Sequence, residues 1–276
     1  MLSTYHTHSV FCDGQMEPED YVLSAIRKGF KAIGFSSHAP FLFDTGWTMK
    51  PGNLNKYIQK IEELKEKYKN QIQIYAGLET DFYPDCKDFR IYPGIDYTIG
   101  SVHFMYYNEK SNKYLTVDGP IGEFTELLDS VFNGNVRNLI ETYYNLVAEM
   151  VKTHRPDILG HLDIVKKNNA GNLFFNETDT WYRNKVEEVL NIISQSNVIV
   201  EINTGGISRG YTAEPYPSEW IIKLMREMDI PVVLNSDAHH PDWIDCYYTE
   251  SVKILRSSGY SHQRVLISNT WQDVPL

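Results

Sequence analysis

His6 and His8, one residue apart near the start of the chain, are the first side chains able to do chemistry. Leu2 to Tyr5 reads as the lead-in of a strand, and on a strand alternate side chains share a face. The two imidazoles therefore point the same way, close enough to hold one cation. Asp13, in Phe11-Cys12-Asp13-Gly14, follows in a turn that can fold back over them. Neutral imidazole and carboxylate are the donors that catalytic zinc, manganese or iron centres use. The same residue types recur downstream. His38 follows Ile33-Gly34-Phe35-Ser36-Ser37, and Glu79 follows Tyr75-Ala76-Gly77-Leu78, with Asp81 two residues on. His103 follows Ile99-Gly100-Ser101-Val102, and His161 sits in Ile158-Leu159-Gly160-His161-Leu162-Asp163. Asp237 and His239 end Leu234-Asn235-Ser236-Asp237-Ala238-His239.

These residues need elements to position them. Short apolar runs predict strands at Leu2–His6, Ala32–Ser36, Ile72–Leu78, Tyr97–Ser101, Ile158–His161, Val198–Ile202 and Pro231–Asn235. Helical patterns lie between them. One runs from Pro18 to Lys28, with proline in the first turn and Gly29 after the end. Others show one apolar face each: Leu54, Ile58, Ile61, Leu64 and Tyr68; Leu139, Tyr143, Val147 and Met150; Val186, Val189, Leu190 and Ile193; Ile221, Leu224, Met225 and Met228. Strand-helix alternation implies a parallel sheet with helices outside, and about seven units favour a barrel over an open sheet. In such a barrel, catalytic residues sit at the C-terminal ends of the strands. Six of the nine histidines fall at these predicted exits. Each candidate alone has an ordinary structural use; their joint placement argues for a site. The other histidines read differently. His154 falls in the last turn of a helix, where a cation suits the dipole; His240 points away from the cluster; His262 is expected on a surface helix. Cys12 reads as a buried structural thiol.

The chain has 276 residues, with 42% hydrophobic and 22% charged, so a sizeable core is expected and disorder is not. One domain spanning 1–276 is the simplest organisation, since no repeat or long linker interrupts it. A net charge of −10 disfavours non-specific nucleic-acid binding, which needs lysine and arginine to displace counterions. Three cysteines without a Cys-x-x-Cys argue against a disulfide framework or a thiolate zinc knuckle. The N-terminus lacks a basic start followed by an apolar run, and no stretch approaches the roughly 20 apolar residues of a membrane helix. A soluble, cytoplasmic protein with reduced thiols and no membrane contact is expected, its oligomeric state left open.

His6-Thr7-His8-Ser9, Cys12-Asp13-Gly14, Ser37-His38, Gly77-Leu78-Glu79, Gly100-Ser101-Val102-His103, Gly160-His161-Leu162-Asp163 and Asn235-Ser236-Asp237-Ala238-His239 together resemble the PHP (polymerase and histidinol phosphatase) superfamily. The resemblance spans residues 2 to 239. Ser37-His38-Ala39-Pro40 and Gly77-Leu78-Glu79-Thr80-Asp81 point within it to the stand-alone histidinol-phosphate phosphatases. It implies a distorted (β/α)7, TIM-like barrel with a trinuclear centre of divalent zinc, manganese or iron. Carried over residue by residue, one metal would take His6, His8, Glu79 and Asp237. A second would take Asp13, His38 and His239, and a third His103 and His161, with Glu79 bridging. Asp13 stands where some relatives have histidine, which leaves metal preference open. The implied reaction is hydrolysis of a small phosphate monoester, L-histidinol phosphate, by a metal-activated hydroxide positioned by Glu79, Asp237 and His239. Arg209, in Thr204-Gly205-Gly206-Ile207-Ser208-Arg209-Gly210 after the sixth strand, is the preferred phosphate clamp, ahead of Lys166 and Lys167. Competing expectations are a PHP-type phosphodiesterase or exonuclease, a phosphatase of another monoester, and a non-catalytic metal-binding protein.

Overall fold

The computed structural model describes the chain except residues 42–44, 84–85, 87 and 109–112 and the side chain of residue 90. In chain order the strands are β1 (Ser3–Thr4), β2 (Ala32–Phe35), β3 (Gln73–Asp81), β4 (Tyr97–Ser101), β5 (Phe104–Asn108), β6 (Lys113–Thr116), β7 (Ile158–Leu159), β8 (Ile199–Asn203), β9 (Val232–Asn235), β10 (His262–Ile267) and β11 (Thr270–Pro275). The helices are α1 (Pro18–Arg27), α2 (Leu54–Tyr68), α3 (Ile121–Ser130), α4 (Val136–Thr153), α5 (Thr180–Ser194), α6 (Gly205–Ser208), α7 (Glu219–Glu227) and α8 (Tyr248–Ser257).

Seven strands form one sheet in the order β1-β2-β3-β4-β7-β8-β9, every pairing parallel. Just past β1, Thr7 bridges Ala238 in parallel, and the His8 amide donates to the Ala238 carbonyl at 2.9 Å. That bridge brings the first strand against the last, so the sheet is a nearly closed, distorted TIM-like barrel with helices outside. All seven predicted strands are present. The first is shorter than expected, two residues instead of five, and His6 lies beyond its end.

Parallel strands covered on both faces read as continuous apolar runs, which is how β2 appears. Helices cover the outside with their apolar stripes: Tyr57, Ile61, Leu64 and Tyr68 are the buried residues of α2. Inside, alternate residues of each strand face the barrel axis. The floor, at the N-terminal ends, is filled by Ala32, Tyr75, Tyr97, Ile99, Ile158, Ile199 and Val233. Tyr97 is large for this position. Gly34 and Gly77 make room for it, because a Cβ at either would come within 2.3 Å of the Tyr97 side chain.

Two hairpins are absent from the sequence-based expectation. β5 and β6 pair beside the barrel mouth, immediately after His103. β10 and β11 pair beneath the floor, where Leu266 exchanges hydrogen bonds with the Tyr5 hydroxyl (3.1 and 2.9 Å) and Trp271 meets the Tyr5 ring edge-on. His262 is therefore the exposed first residue of a strand, not part of a surface helix. The helix ends earlier, at Ser257 before Gly259 (φ +95°), and Val265 and Leu266 are drawn onto the barrel floor.

Candidate metal centre

The C-terminal ends of the strands bring all nine expected ligands together. Donor atoms of His8, Asp13, His38 and His239 lie within 4.8 Å of one another, as do those of His6, His8 and Asp237, and those of Glu79, His103 and His161. Glu79 stands at the centre, inward-facing on β3. Its Oε2 is 3.2 Å from His6 Nε2, 3.5 Å from His8 Nε2 and 2.9 Å from His38 Nδ1. Its Oε1 accepts from Ser101 at 2.7 Å and lies 3.0 Å from His161 Nε2. Asp13, the most exposed member, sits 3.4 Å from His239 and 3.5 Å from His8. Asp237 follows β9 in a left-handed conformation (φ +48°), which is sterically costly away from glycine and concentrates at functional sites.

The chemistry of the cluster calls for a cation. His6 Nδ1–H donates to Glu201 Oε1 at 2.7 Å, and His103 Nδ1–H donates to Asp81 Oδ1 at 2.7 Å. In the neutral rings Nε2 is then a lone pair. These lone pairs face other acceptors: His6 Nε2 lies 3.2 Å from Glu79 Oε2 and 3.7 Å from Asp237 Oδ1. Among the described residues, His6 Nε2, His8 Nε2, His38 Nδ1, Glu79 Oε2 and His161 Nδ1 are buried without a hydrogen-bond partner. Buried polar atoms are rarely left so, and convergent acceptors are compatible only with a bound cation or with extra protons.

Electrostatics agrees. Burial disfavours charge in the cluster, and for several members neighbouring opposite charges overcome it. Burial works to raise the Glu79 carboxyl, but His38 and His6 hold it well below the usual range; Arg209 and His6 do the same for Asp237. His103 would be pulled down by burial, but Asp81 and Asp118 push it up to about 10. His8 goes the other way, to about 3, because burial is reinforced by His239 and His38.

Above the cluster opens a cavity of about 350 Å³, lined by seven of the nine together with Trp47, Asp118, Glu123, Lys167, Arg209 and Tyr211. Arg209 donates to Asp237 Oδ2 at 2.8 Å and approaches His239 Nδ1 at 2.9 Å. Gly205 permits this, since a Cβ there would meet Asp237 Oδ2 at 2.6 Å and the Arg209 guanidinium at 2.9 Å. The two lysines separate. Lys166 is buried away from the mouth, bonded to Ser218, Asp163 and Glu214. Lys167 lines the cavity, with its ammonium 4.5 Å from the Tyr211 ring centroid. Of the aromatic segment 41–47, residues 42–44 lie outside the described residues; Trp47 packs edge-on against His38. Cys12 Sγ lies 3.4 Å from His8 Nδ1, and burial and Asp13 push its thiol up to about 12.

Sequence reasoning missed Glu201. The sixth strand was the one barrel strand without an expected ligand, yet Glu201 projects from it to the back of His6. A signal was present: a lone glutamate inside Val198-Ile199-Val200-Glu201-Ile202, where a buried strand has no solvent for a charge.

The PHP domain family model matches residues 4–205. The histidinol-phosphatase of Bacillus subtilis is 29% identical over 85% of this chain and 92% of its own length. A probable histidinol-phosphatase of Deinococcus radiodurans is 29% identical over 94% of each chain. Among solved structures, histidinol phosphate phosphatase from Lactococcus lactis, complexed with zinc, L-histidinol and phosphate, superposes with a TM-score of 0.72, 20% identity and 98% coverage of both chains. At these identities the structural likeness speaks to the fold.

Proposed function

The chain belongs to the PHP domain family, and on that premise we propose that it hydrolyses L-histidinol phosphate to L-histidinol and inorganic phosphate, a cytoplasmic step of histidine biosynthesis. The whole chain, 1–276, acts as one metal-dependent phosphomonoesterase domain. The observation that carries this reading is the set of convergent buried acceptors without hydrogen-bond partners at the base of a cavity sized for a small molecule.

In this reading His6, His8, Glu79 and Asp237 would hold one divalent ion. Asp13, His38 and His239 would hold a second. His103 and His161 would hold a third beside Glu79. The donor spacing supports the assignment, with Glu79 Oε2 joining the His6, His8 and Asp237 group at 3.2 Å from His6 and 3.5 Å from His8. All donors are nitrogen or oxygen, which suits zinc, manganese or iron. When bound, such ions supply charge neutralisation of the phosphate dianion and acidify water toward neutral pH.

The chain's own residues do the rest. Arg209, held by Asp237 and the Gly205 carbonyl, presents its guanidinium to the cavity and clamps phosphate oxygens. Lys167 adds a second cation on the same wall, while Lys166 is committed to structure. Trp47 and the β5–β6 hairpin narrow the mouth and exclude water from the ester.

Phosphate release tests the reading. Purified protein with zinc or manganese should cleave histidinol phosphate far faster than generic sugar phosphates, and should leave a single-stranded oligonucleotide intact. Equal, slow turnover of all monoesters would sink the substrate while leaving the phosphoesterase class. His38→Ala should abolish turnover; unchanged turnover would point to a non-catalytic metal-binding role.

A further inference from the structure

Glu201 is fully buried and is offered four hydrogen bonds. Oε1 accepts from His6 Nδ1 at 2.7 Å and from Asn235 Nδ2 at 2.9 Å. Oε2 accepts from the His161 backbone amide at 2.9 Å and from Asn203 Nδ2 at 2.9 Å. The orientation of both asparagines follows from unambiguous donors. Asn235 Oδ1 accepts from the Tyr5 amide at 2.7 Å, and Asn203 Oδ1 accepts from the Gly205 amide at 2.8 Å. Their NH₂ groups therefore face Glu201. Three of its four neighbours can only donate, and a carboxylate can only accept. The fourth neighbour, His6 Nδ1, must then carry its proton toward Glu201.

We propose that Glu201 is a positioning residue for the metal centre: it holds His6 as the Nδ1–H tautomer, so that Nε2 is a lone pair aimed at a cation, and it ties the His6 and His161 groups into one unit. The inference rests on the metal reading above. Carboxylates placed behind ligating imidazoles fix the ring and raise its basicity. Asp81 has a simpler version of this role, because it accepts from both Nδ1 and the backbone amide of His103 alone. Glu201 differs in reaching two groups. Its side chain binds the ring of His6 from the first strand exit and the backbone of His161 from the fifth.

An amide cannot replace this carboxylate. In Glu201→Gln, the new NH₂ must face either His6 and Asn235 or His161 and Asn203. The first orientation turns His6 to the Nε2–H tautomer and removes the lone pair. The second sets donor against donor at the His161 amide and displaces that residue. The first orientation weakens the ion at His6 and the second the ion at His161, so neither leaves both sites intact.

The test uses the full chain stripped with chelator and titrated with zinc against a chromophoric competitor, beside nitrogen NMR of the histidine rings. Wild type should take up zinc with His6 Nδ1 protonated. Glu201→Gln should lose about 10- to 100-fold in affinity for at least one ion, that of His6 or that of His161, and Asp81→Asn for the ion of His103. Wild-type stoichiometry and affinity within twofold in Glu201→Gln, with only the melting temperature of the metal-free protein lowered, would make Glu201 merely structural and overturn the proposal. If that variant fails to fold, the wild-type spectrum decides: an unprotonated His6 Nδ1 in the zinc-loaded protein overturns it, and a protonated one supports it. A wild type that takes up no zinc removes the metal reading itself, and this inference with it.

Discussion

Arg209 shows how much a single side chain can be asked to do. Its guanidinium spans Asp237 and His239 and still borders the cavity, which a point charge on a flexible stem cannot reproduce. Arg209→Ala should lower kcat/KM for histidinol phosphate by about 100-fold or more, and Arg209→Lys should restore only a small part of it. Steady-state kinetics on both variants checks this. Titration belongs to the same scale. In the metal-free chain, His103 has a folded pKa of about 10 against an ordinary 6.5, so its contribution to stability is complete below pH 6.5 and lost as pH rises through 10. His8, at about 3, contributes fully above pH 6.5 and loses its contribution as pH falls toward 3. Chelated protein should therefore melt highest near pH 6.5. Asp81→Asn should flatten the alkaline limb, which melting curves across pH 4 to 10 would reveal.

At the scale of elements, the barrel floor sets the height at which the site is built. Tyr97 fills the interior below the ligands, and Gly77 lies two residues before Glu79 on the same inward face of β3. Gly77→Ala should force the Tyr97 ring aside and cost about 1–3 kcal/mol by overpacking, measured by denaturant unfolding. An unchanged midpoint would mean that the floor yields more easily than its packing implies. The element pattern explains what periodicity could reveal. Long amphipathic helices and apolar strands were legible because their burial follows a single repeating rule. The β5–β6 and β10–β11 hairpins were not. Their faces are buried against distant segments, and that contact writes no period into the local sequence.

At the scale of the whole molecule, the proposed centre would draw its ligands from six of the seven barrel strand exits and a supporting carboxylate from the remaining strand. Ions bound here would link segments far apart in the chain, so removing them should loosen the entire mouth. Chelation should lower the melting temperature, and zinc or manganese should restore it. Ligand linkage predicts a stabilisation of about 4 kcal/mol when free metal is 1,000 times its dissociation constant. A melting temperature indifferent to metal would contradict the metal centre. No helix among the described residues is long and apolar enough to cross a membrane.

The sequence alone nominated nine candidate ligands, whose donor atoms the fold brings together, because imidazole and carboxylate at successive strand exits have few other joint explanations. It also determined the barrel, since alternation of buried strands and amphipathic helices admits few architectures. Only the tertiary structure decided which lysine faces the cavity. Lys166 and Lys167 are adjacent in sequence, and the turn after β7 sends one into a buried ion network and the other to the mouth. Only the tertiary structure revealed Glu201 as the back of His6. A hydrogen bond between residues 195 positions apart depends on closing the barrel, and a glutamate in an apolar strand announces that it needs partners without naming them.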